Sequence, residues 1–455
     1  MSRVSALHRG GLSRRRRIVG VGLALIVLII GAMVVQRVSD QPAMHTVLDD
    51  TYPSVVAVDQ QSGRAFIGAV DHDEVSPRLW MLTSSDGRPV SLHLPASCGL
   101  PAGLGVDSQR SRVFLAPAAG ATGCVLDARD GALLATVSMS NTFLGTEFMV
   151  ADLCVSERTG RVFVASFDVG VVGVSNGHLD SAISVFDVST GRLVRTTPVG
   201  RGLDALAIDE RTGRVFGVNV LSDDVSVLDA RSGALLNTTL VSPHPLAIAV
   251  DERTGHVFVT SNAIPAGGPG GWTGQVDMLD ARTGALLRTV QVGVLPYAIA
   301  TDARSGRVFV ANSGSDSVSV LDARSGRVLR TVAVGRDPAA IAVDARAGRV
   351  FVANLNGSFP LVPQQDLLGP GSVAVLDARD GAVVHMVAVG VDPAVMRVDE
   401  RTGRVFVLNK GGEVPVLDRW RWVPDWLRSA VTFLPQRTSR THRVPGSVSV
   451  LNPSL

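Results

Sequence analysis

The sequence lacks the motifs of the common catalytic and cofactor sites. It has three cysteines and no Cys-x-x-Cys-His motif, which excludes covalent attachment of a c-type haem. Its nine histidines show no His-x-His or His-Glu-x-x-His spacing, so no zinc site is predicted. A phosphate-cradling glycine loop is absent as well. We therefore predict no catalytic residue, no metal ion and no cofactor.

Lysine and aromatic residues are scarce. The one lysine is Lys410, aromatic residues make up 5% of the chain, and the net charge is +2. Residues 1–40 hold seven of the 43 basic residues and one of the 41 acidic residues, so residues 41–455 carry 36 basic and 40 acidic side chains, a net charge of −4. Such a body has no basic surface on average, which counts against nucleic acid as a partner.

The N-terminus contains one long uncharged run. A basic block occupies residues 14–17, and the 18 residues at 18–35 carry no charge. About 20 apolar residues span a bilayer as a helix. The order of the two features predicts a cytoplasmic basic segment at 1–17, a single-pass signal-anchor helix at 18–35, a linker at 36–44 and an extracytoplasmic remainder at the cell membrane. A cleaved signal peptide is the alternative, but residues 31–33 make a poor cleavage site.

The rest of the chain is repetitive. A short strand motif centred on phenylalanine recurs eight times, and its closest copies are 42 residues apart. The phenylalanines are Phe66, Phe114, Phe163, Phe216, Phe258, Phe309, Phe351 and Phe406. The cleanest copy, residues 298–334, indicates four short strands separated by turns of Asp, Ser and Gly. Such units are typical of propeller blades, so we predict an all-β, eight-bladed β-propeller; seven blades is the alternative if the first or last unit is not a true blade.

The two ends of the chain predict how the ring closes. The last repeat stops after its third strand at Leu451, and residues 45–59 align with residues 330–344, which form a fourth strand followed by the next first strand. Residues 46–48 should therefore complete the last blade of a propeller that spans 45–455. Closure of this kind leaves no exposed sheet edge.

Comparison of the copies separates architecture from candidate function. Turns such as Asp209-x-Arg211-x-Gly213 recur from blade to blade, so their Asp and Gly should form the turn while their Arg is solvated. The irregular segments lie mainly between second and third strands. They are residues 68–78, 166–182, 261–274, 355–371 and 409–446. These segments share one face, the loop-rich face, and the tight turns occupy the opposite, plain face. Any binding is predicted on the loop-rich face.

The best copy of the repeat resembles a known family. Residues 308–312, 317–322 and 331–344 are similar to the strand and turn motifs of the YVTN family of β-propeller repeat proteins, and the similarity covers roughly residues 45–455. The resemblance implies the propeller fold. It also implies a surface-layer-like or secreted protein, while some relatives are similar to redox-enzyme propellers or to lactonase-type propellers. Fold-level resemblance does not select among these functions.

Few side chains have the chemistry of a ligand site. Residues 71–74 (Asp-His-Asp-Glu) form the densest group of oxygen ligands for Ca²⁺, but four consecutive residues rarely converge on one ion, which favours a solvated loop. A lactonase-like site would need acidic and Asn ligands around the channel. Asp152, Asp204 and Asn219 have the required chemistry, although nothing in their spacing selects them.

The cysteines suggest one pairing. Cys98 precedes the first strand of the second blade and Cys124 begins its third strand, which places both at the same face of one blade. Outside the cytoplasm this arrangement allows a disulfide if the Cα atoms lie within ~7 Å. Cys154 fits a buried free thiol in an apolar first strand.

The last insertion, 409–446, concentrates tryptophan. It contains Trp420, Trp422 and Trp426, and Asp425 is placed to cap a short helix over residues 426–434. Trp and Arg suit a partner-binding or membrane-interface surface. A helix packed over the mouth of the last blade is the alternative.

These observations lead to two functional hypotheses. The first is a membrane-tethered, extracytoplasmic propeller that acts as a scaffold or binding module for an unidentified protein or small ligand on the loop-rich face, with residues 18–35 in the membrane. The second is a channel-mouth enzyme of the lactonase-like or redox-propeller type. The second hypothesis requires acidic, Asn or His side chains that point into the channel.

Overall fold

A computed structural model describes residues 44–48, 51–71, 77–82, 89–95, 97–118, 122–139, 148–168, 181–263, 273–356, 370–415 and 441–452. These residues form eight four-stranded antiparallel sheets and one two-stranded ribbon, with a single 3-10 turn at Ser313–Ser315 and no α-helix among them. None of the described segments is a helix long and apolar enough to cross a membrane. The predicted anchor at 18–35 lies outside the described residues.

The first four blades follow one another along the chain. Strand β1 (Met44–Val47) precedes them. Blade 1 is β2 (Thr51–Val58), β3 (Ala65–Asp71), β4 (Pro77–Leu82) and β5 (Pro89–Leu92); blade 2 is β6 (Pro101–Asp107), β7 (Arg112–Pro117), β8 (Thr122–Asp127) and β9 (Leu133–Ser138); blade 3 is β10 (Phe148–Ser156), β11 (Arg161–Asp168), β12 (Ser181–Asp187) and β13 (Leu193–Val199); blade 4 is β14 (Leu203–Asp209), β15 (Arg214–Asn219), β16 (Asp224–Asp229) and β17 (Leu235–Leu240).

The remaining blades continue this order. Blade 5 is β18 (Pro245–Asp251), β19 (His256–Ala263), β20 (Thr273–Asp280) and β21 (Leu286–Val292); blade 6 is β22 (Pro296–Asp302), β23 (Arg307–Asn312), β24 (Ser317–Asp322) and β25 (Val328–Ala333); blade 7 is β26 (Pro338–Asp344), β27 (Arg349–Asn354), β28 (Pro370–Asp377) and β29 (Val383–Val391). Blade 8 begins with β30 (Pro393–Asp399) and β31 (Arg404–Asn409); the ribbon β32 (Gly412–Pro415) and β33 (Thr441–Val444) intervenes before β34 (Ser447–Leu451). The prediction of an eight-bladed, all-β propeller is confirmed, and seven blades is wrong.

The N-terminal strand completes blade 8. Strand β1 pairs antiparallel with β34, with Met44 opposite Val450 and Val47 opposite Ser447. The strand therefore starts before the segment 46–48 that the repeat alignment indicates. The next residue, Leu48, is fully buried in a cluster with Val56 and Phe406. First strands contact one another from blade to blade, and β2 contacts β30, so the ring is closed.

The hydrophobic cores lie between blades rather than within them. Eight clusters of buried side chains occupy the eight blade-to-blade interfaces. Strand β7 shows the principle: Phe114 packs toward blade 3, whereas its neighbours Val113 and Leu115 pack toward blade 1. Both faces of the strand are buried, which explains why its sequence is apolar without alternation.

Buried asparagines tie second strands to third strands near the loop-rich face. Asn312 of β23 donates from Nδ2 to Ser317 Oγ (3.2 Å) and Ser319 Oγ (3.0 Å). The same position is Asn219 in blade 4, Asn354 in blade 7 and Asn409 in blade 8, each of them buried and bonded to the third strand. The connection from the preceding blade approaches this Asn through a glycine; at Gly293 a Cβ atom would lie 2.6 Å from Asn312 Cγ.

Blade 5 replaces this arrangement with another. Ser261 stands at the Asn position, Ser242 at the glycine position and Asp277 at the position of Ser319. The fully buried Asp277 carboxylate accepts hydrogen bonds from Ser242 N (2.6 Å), from Ser242 Oγ (3.1 Å) and from the Thr289 hydroxyl. Blade 5 thus differs from blade 6 at three positions that act together. The third strand is hydrogen-bonded to the connection from the preceding blade, through Ser242, and not to an Asn of the second strand.

The plain face corrects one expectation. The Asp and Gly of its turns behave as predicted: Thr212 N donates to Asp209 Oδ1 (3.0 Å), and Gly213 has φ +67°. The arginines are exposed, but they are not merely solvated. Arg211 Nε donates to the carbonyl of Glu252 in the next blade (2.7 Å). Equivalent bonds link Arg253 to Ala303, Arg304 to Ala345 and Arg346 to Glu400, and Arg401 donates to the carbonyl of Ser62, two residues beyond the equivalent position of blade 1.

Candidate binding site at the channel mouth

The central channel is surrounded by the eight first strands, and each of them carries a β-bulge near its loop-rich end. The register shift leaves one residue per blade without a partner on the second strand. These residues are Ser54, Ala102, Ala151, Asp204, Leu246, Tyr297, Ala339 and Ala394. Four are alanine, which fits a narrow ring. Asp204 and Tyr297 depart most from that pattern, and both are exposed. We call this end of the channel the channel mouth.

Asp152 follows the bulge of blade 3 and turns toward blade 4. Its Oδ2 accepts a hydrogen bond from Leu206 N (2.7 Å) and its Oδ1 accepts one from Leu153 N (2.8 Å). Burial raises the pKa of Asp152 from 3.8 to about 6, against the lowering effects of these two bonds and of the Arg397 charge; Asp204 adds a smaller raising effect. The carboxyl group is therefore fixed in place yet able to change protonation near neutral pH.

Asp204 and Asp392 create a negative potential around Tyr297. Burial raises the pKa of Asp204. Burial also raises the pKa of Asp392, although the Lys410 ammonium group opposes the shift. The pKa of Tyr297 is raised by burial first and then by the charges of Asp204 and Asp392. Blades 4, 6 and 8 thus place two carboxylates and one phenol within electrostatic reach of each other, and Tyr297 remains 47% exposed.

Arg397 differs from the residues at the same first-strand position of the other seven blades. The equivalent residues, two positions before the Asp or Ser that opens the plain-face turn, are Ala57, Gly105, Cys154, Ala207, Ala249, Ala300 and Ala342. In blade 8 an exposed arginine occupies this position, and its Nη1 donates to the carbonyl of Met396 (2.9 Å). Its charge is felt at Asp152 on blade 3. The channel therefore carries one guanidinium group beneath a mouth of three carboxylates.

Cys154 lies two residues beyond Asp152 on the same strand and is partly exposed rather than buried as predicted. Burial raises the pKa of its thiol well above the ordinary value, and the charges of Asp152 and Glu210 add to the shift. The thiol is accordingly protonated at neutral pH and is a poor nucleophile.

The three residues with lactonase-like chemistry do not form one site. Asp152 and Asp204 interact in the channel mouth. Asn219 instead is fully buried within blade 4, where its Nδ2 donates to Asp224 Oδ1 (2.6 Å) and Ser226 Oγ (2.9 Å). It belongs to the repeated asparagine tie. Within the described part of the chain, no group of three or more His, Cys, Asp or Glu side chains is placed to hold a metal ion.

The other residues singled out in the sequence have different outcomes. Cys98 and Cys124 form a disulfide with a Cα–Cα distance of 5.9 Å, inside the cluster between blades 1 and 2. Trp420, Trp422 and Trp426 lie outside the described residues, as do the predicted helix at 426–434 and the side chains of 71–74.

Sequence reasoning missed Tyr297, Asp392 and Arg397. A signal was present, since each lies in or just before a first strand. Arg397 stands where the other blades have Ala, Gly or Cys, and Tyr297 stands at a position that is Ala in four of them. Position-by-position comparison of the first strands would have found both. Their convergence depends on the ring geometry, which the repeat alone does not supply.

Comparisons with known proteins agree with the fold. The sequence profile of the family described as outer membrane protein assembly factor BamB matches residues 272–422, which is less than half of the chain. No curated protein matches the sequence. Among solved structures, Kuenenia stuttgartiensis hydrazine synthase is similar at a TM-score of 0.52 and 14% identity, over 74% of this chain and 98% of that chain. Saccharomyces cerevisiae Sqt1 is similar at a TM-score of 0.59 and 12% identity, over 80% and 95%. At such identities the likeness concerns the fold alone.

Proposed function

We propose that this protein is a membrane-tethered, extracytoplasmic propeller that binds a partner protein or ligand at its loop-rich face. The tether is the uncharged segment 18–35 behind the basic block 14–17. The Cys98–Cys124 disulfide supports a location outside the cytoplasm, because disulfides persist in oxidising compartments. The resemblance to the YVTN family and the partial match to an assembly-factor family both support a surface or scaffold role.

The channel mouth is the part of that face that we propose takes a cationic group of the ligand. The supporting observation is the joint departure of Asp152, Asp204 and Tyr297 from the small or neutral residues at the same positions of other blades, with Asp392 adding a second negative charge beside Tyr297. Carboxylates and an exposed aromatic ring are the groups that bind ammonium and guanidinium ions. Such a cation would stabilise the ionised form of Asp152, so affinity should rise as the pH passes upward through about 6.

The location is tested by membrane extraction of the full chain. We expect alkaline carbonate to leave the protein in the membrane pellet and detergent to release it, and we expect added protease to degrade the propeller in spheroplasts but not in inside-out vesicles. Release by carbonate, or protection of the propeller in spheroplasts, would show that the proposed topology is wrong.

The site is tested with spermidine and arginine-containing peptides as probes, by calorimetric titration of the detergent-solubilised full chain. Asp204→Asn removes one mouth charge and should weaken binding by up to about tenfold, because a hydrogen bond to a charged group is worth ~1.5–3 kcal/mol and solvent at the exposed Asp204 reduces that value. Asp130→Asn is the matched control, because this exposed turn residue on the plain face accepts from Ala132 N through one oxygen, which asparagine retains. Equal effects of the two variants would contradict the site.

An enzymatic role is the second candidate, and one observation favours it. A carboxyl group with a pKa of about 6 in a channel matches what a general acid–base catalyst needs. Hydrolysis of lactone or ester substrates that is lost in Asp152→Asn and kept in Asp130→Asn would support this role. Binding without turnover would support the first.

A further inference from the structure

The outer rim of the propeller carries a repeated pair of exposed aliphatic side chains. In blades 2 to 7 the fourth strand begins with two of them, beside a register shift in the pairing with the third strand. The pairs are Leu133 and Leu134, Leu193 and Val194, Leu235 and Leu236, Leu286 and Leu287, Val328 and Leu329, and Val383 and Val384. We call them the apolar belt. Their exposed fractions run from 36% at Val328 to 51% at Leu329.

The apolar belt is not a scatter of isolated residues. Among the described residues, 17 large hydrophobic side chains are exposed, and twelve of them belong to the belt. Single exposed leucines are normal on a protein surface, but contiguous or aligned ones indicate a contact surface. The belt lies at the plain-face end of the fourth strands, because each pair directly follows the turn from third to fourth strand.

Exposed arginines border the belt on the plain face. They occupy the same position of that turn in five blades. They are Arg129, Arg231, Arg282, Arg324 and Arg379, and each is exposed. Aliphatic side chains next to guanidinium groups match the boundary of a bilayer, where acyl chains meet anionic phosphate groups.

The chain outside the described propeller enters at the same height. In blade 8 the fourth strand is β1, and Met44 lies opposite Val450 near the plain-face end of β34. Residues 36–43 can span at most about 28 Å when fully extended. The uncharged segment 18–35 therefore cannot lie far from the rim at which the belt is located. Blade 8, where β1 enters, lies between blade 7, which carries a belt pair, and blade 1, which carries none.

We infer that the apolar belt and the bordering arginines dock on the surface of an anionic lipid bilayer. The plain face then lies toward the membrane, and the loop-rich face with the channel mouth points away from it. The orientation rests on the proposed tether, but the docking has its own contacts and can be measured without the tether.

The test begins with the full chain, folded and purified, that carries a protease site within residues 36–43. Before cleavage, co-sedimentation with phosphatidylcholine vesicles reports the tether. After cleavage, co-sedimentation of the freed propeller with vesicles containing phosphatidylglycerol reports the belt. We expect the freed propeller to stay on anionic vesicles and to leave them in high salt, because arginine–phosphate attraction is screened.

Two pairs of leucine substitutions make the test specific. Leu236→Ser with Leu287→Ser removes belt side chains and should weaken vesicle binding roughly tenfold, given the apolar area withdrawn from lipid. Leu240→Ser with Leu221→Ser is the matched control at the loop-rich end, where Leu240 is 74% exposed, and should change binding little. A freed propeller that leaves anionic vesicles completely, or equal losses in the two pairs, would overturn the docking. Failure of the uncleaved chain to sediment would count against the tether alone.

A fluorescent probe distinguishes lipid from a second copy of the chain. Cys154→Ala, which restores the alanine found at Ala207, is combined with Leu236→Cys or Leu240→Cys, and NBD is attached at the new thiol. We expect a blue-shifted emission on vesicles for the probe at 236 but not for the probe at 240. A blue shift at 236 without vesicles, together with a dimer on size exclusion, would show that another copy covers the belt and would overturn the proposal.

Discussion

The two faces of the propeller differ in how regular they are. On the plain face, turn after turn repeats the same bonds, so that Arg211 of blade 4 and Arg401 of blade 8 each reach a carbonyl of the following blade. At the channel mouth on the other face, equivalent positions hold side chains as different as those of Asp204, Tyr297, Leu246 and alanine. Repetition thus identifies what holds blades together, and departure from it identifies what is free to bind. Four experiments test this contrast.

Opening the ring should have the largest effect. Deletion of residues 44–48 removes β1 and the buried Leu48, and it exposes the edge of β34. We expect a loss of at least about 4 kcal/mol in the free energy of unfolding, together with edge-to-edge association. Guanidinium unfolding and size exclusion measure both. Leu48→Ala should cost about 2–4 kcal/mol, and Leu240→Ala, at an exposed position, less than about 0.5 kcal/mol. An intact monomer of unchanged stability would refute closure by β1.

The second largest loss of stability is expected from the hydrogen bonds of Asp277 in blade 5. Asp277→Ala leaves the Ser242 and Thr289 donors without their buried acceptor and should cost about 2–3 kcal/mol. Restoring the pattern of blade 6, with Asp277→Ser, Ser242→Gly and Ser261→Asn together, should recover stability to within about 1 kcal/mol of the natural chain. Thermal unfolding of the single and triple variants compares them. Additive losses in the triple variant would show that the three positions are independent.

The pH dependence of Asp152 predicts a smaller change. Its folded pKa of about 6 exceeds the ordinary 3.8, so the folded state binds the proton more tightly and stability falls as the pH rises between these values. Relative to Asp152→Asn, the natural chain should therefore lose roughly 1–2 kcal/mol between about pH 4 and about pH 7, allowing for solvent in the channel. Denaturant unfolding at both pH values measures the difference. A parallel response of both proteins would contradict the burial of this carboxyl group.

The smallest expected effect concerns the exposed arginines. Arg211→Ala removes the hydrogen bond to the Glu252 carbonyl and should cost about 0.5–1 kcal/mol. Arg231→Ala, in the outer turn of the same blade, should stay within about 0.5 kcal/mol of the natural chain. Unfolding midpoints at equal denaturant slope compare the two. Equal unfolding midpoints for the two variants would show that the hydrogen bond from Arg211 to the next blade contributes no stability.

Much of the fold could be predicted because the same strand and turn motifs recur eight times in the sequence. The phenylalanine motif and its spacing indicate the blades, and all eight phenylalanines are indeed buried between them. The hydrogen bonds from plain-face arginines to the next blade could not be predicted in the same way. The acceptor of Arg211, for example, is a backbone carbonyl some 40 residues further along, in another blade. Asp152 and Asp204 have suitable chemistry, but only the ring brings them into electrostatic contact with Tyr297 and Arg397.

The pairing of β1 with β34 has a consequence for biosynthesis. Strand β1 is synthesised roughly 400 residues before its partner β34, so this pairing has the longest sequence separation among the described strands and belongs to the slow class of folding events. Until then blades 1 and 7 each leave uncovered the apolar face that packs against blade 8. Both surfaces are open to association with other chains until blade 8 is complete.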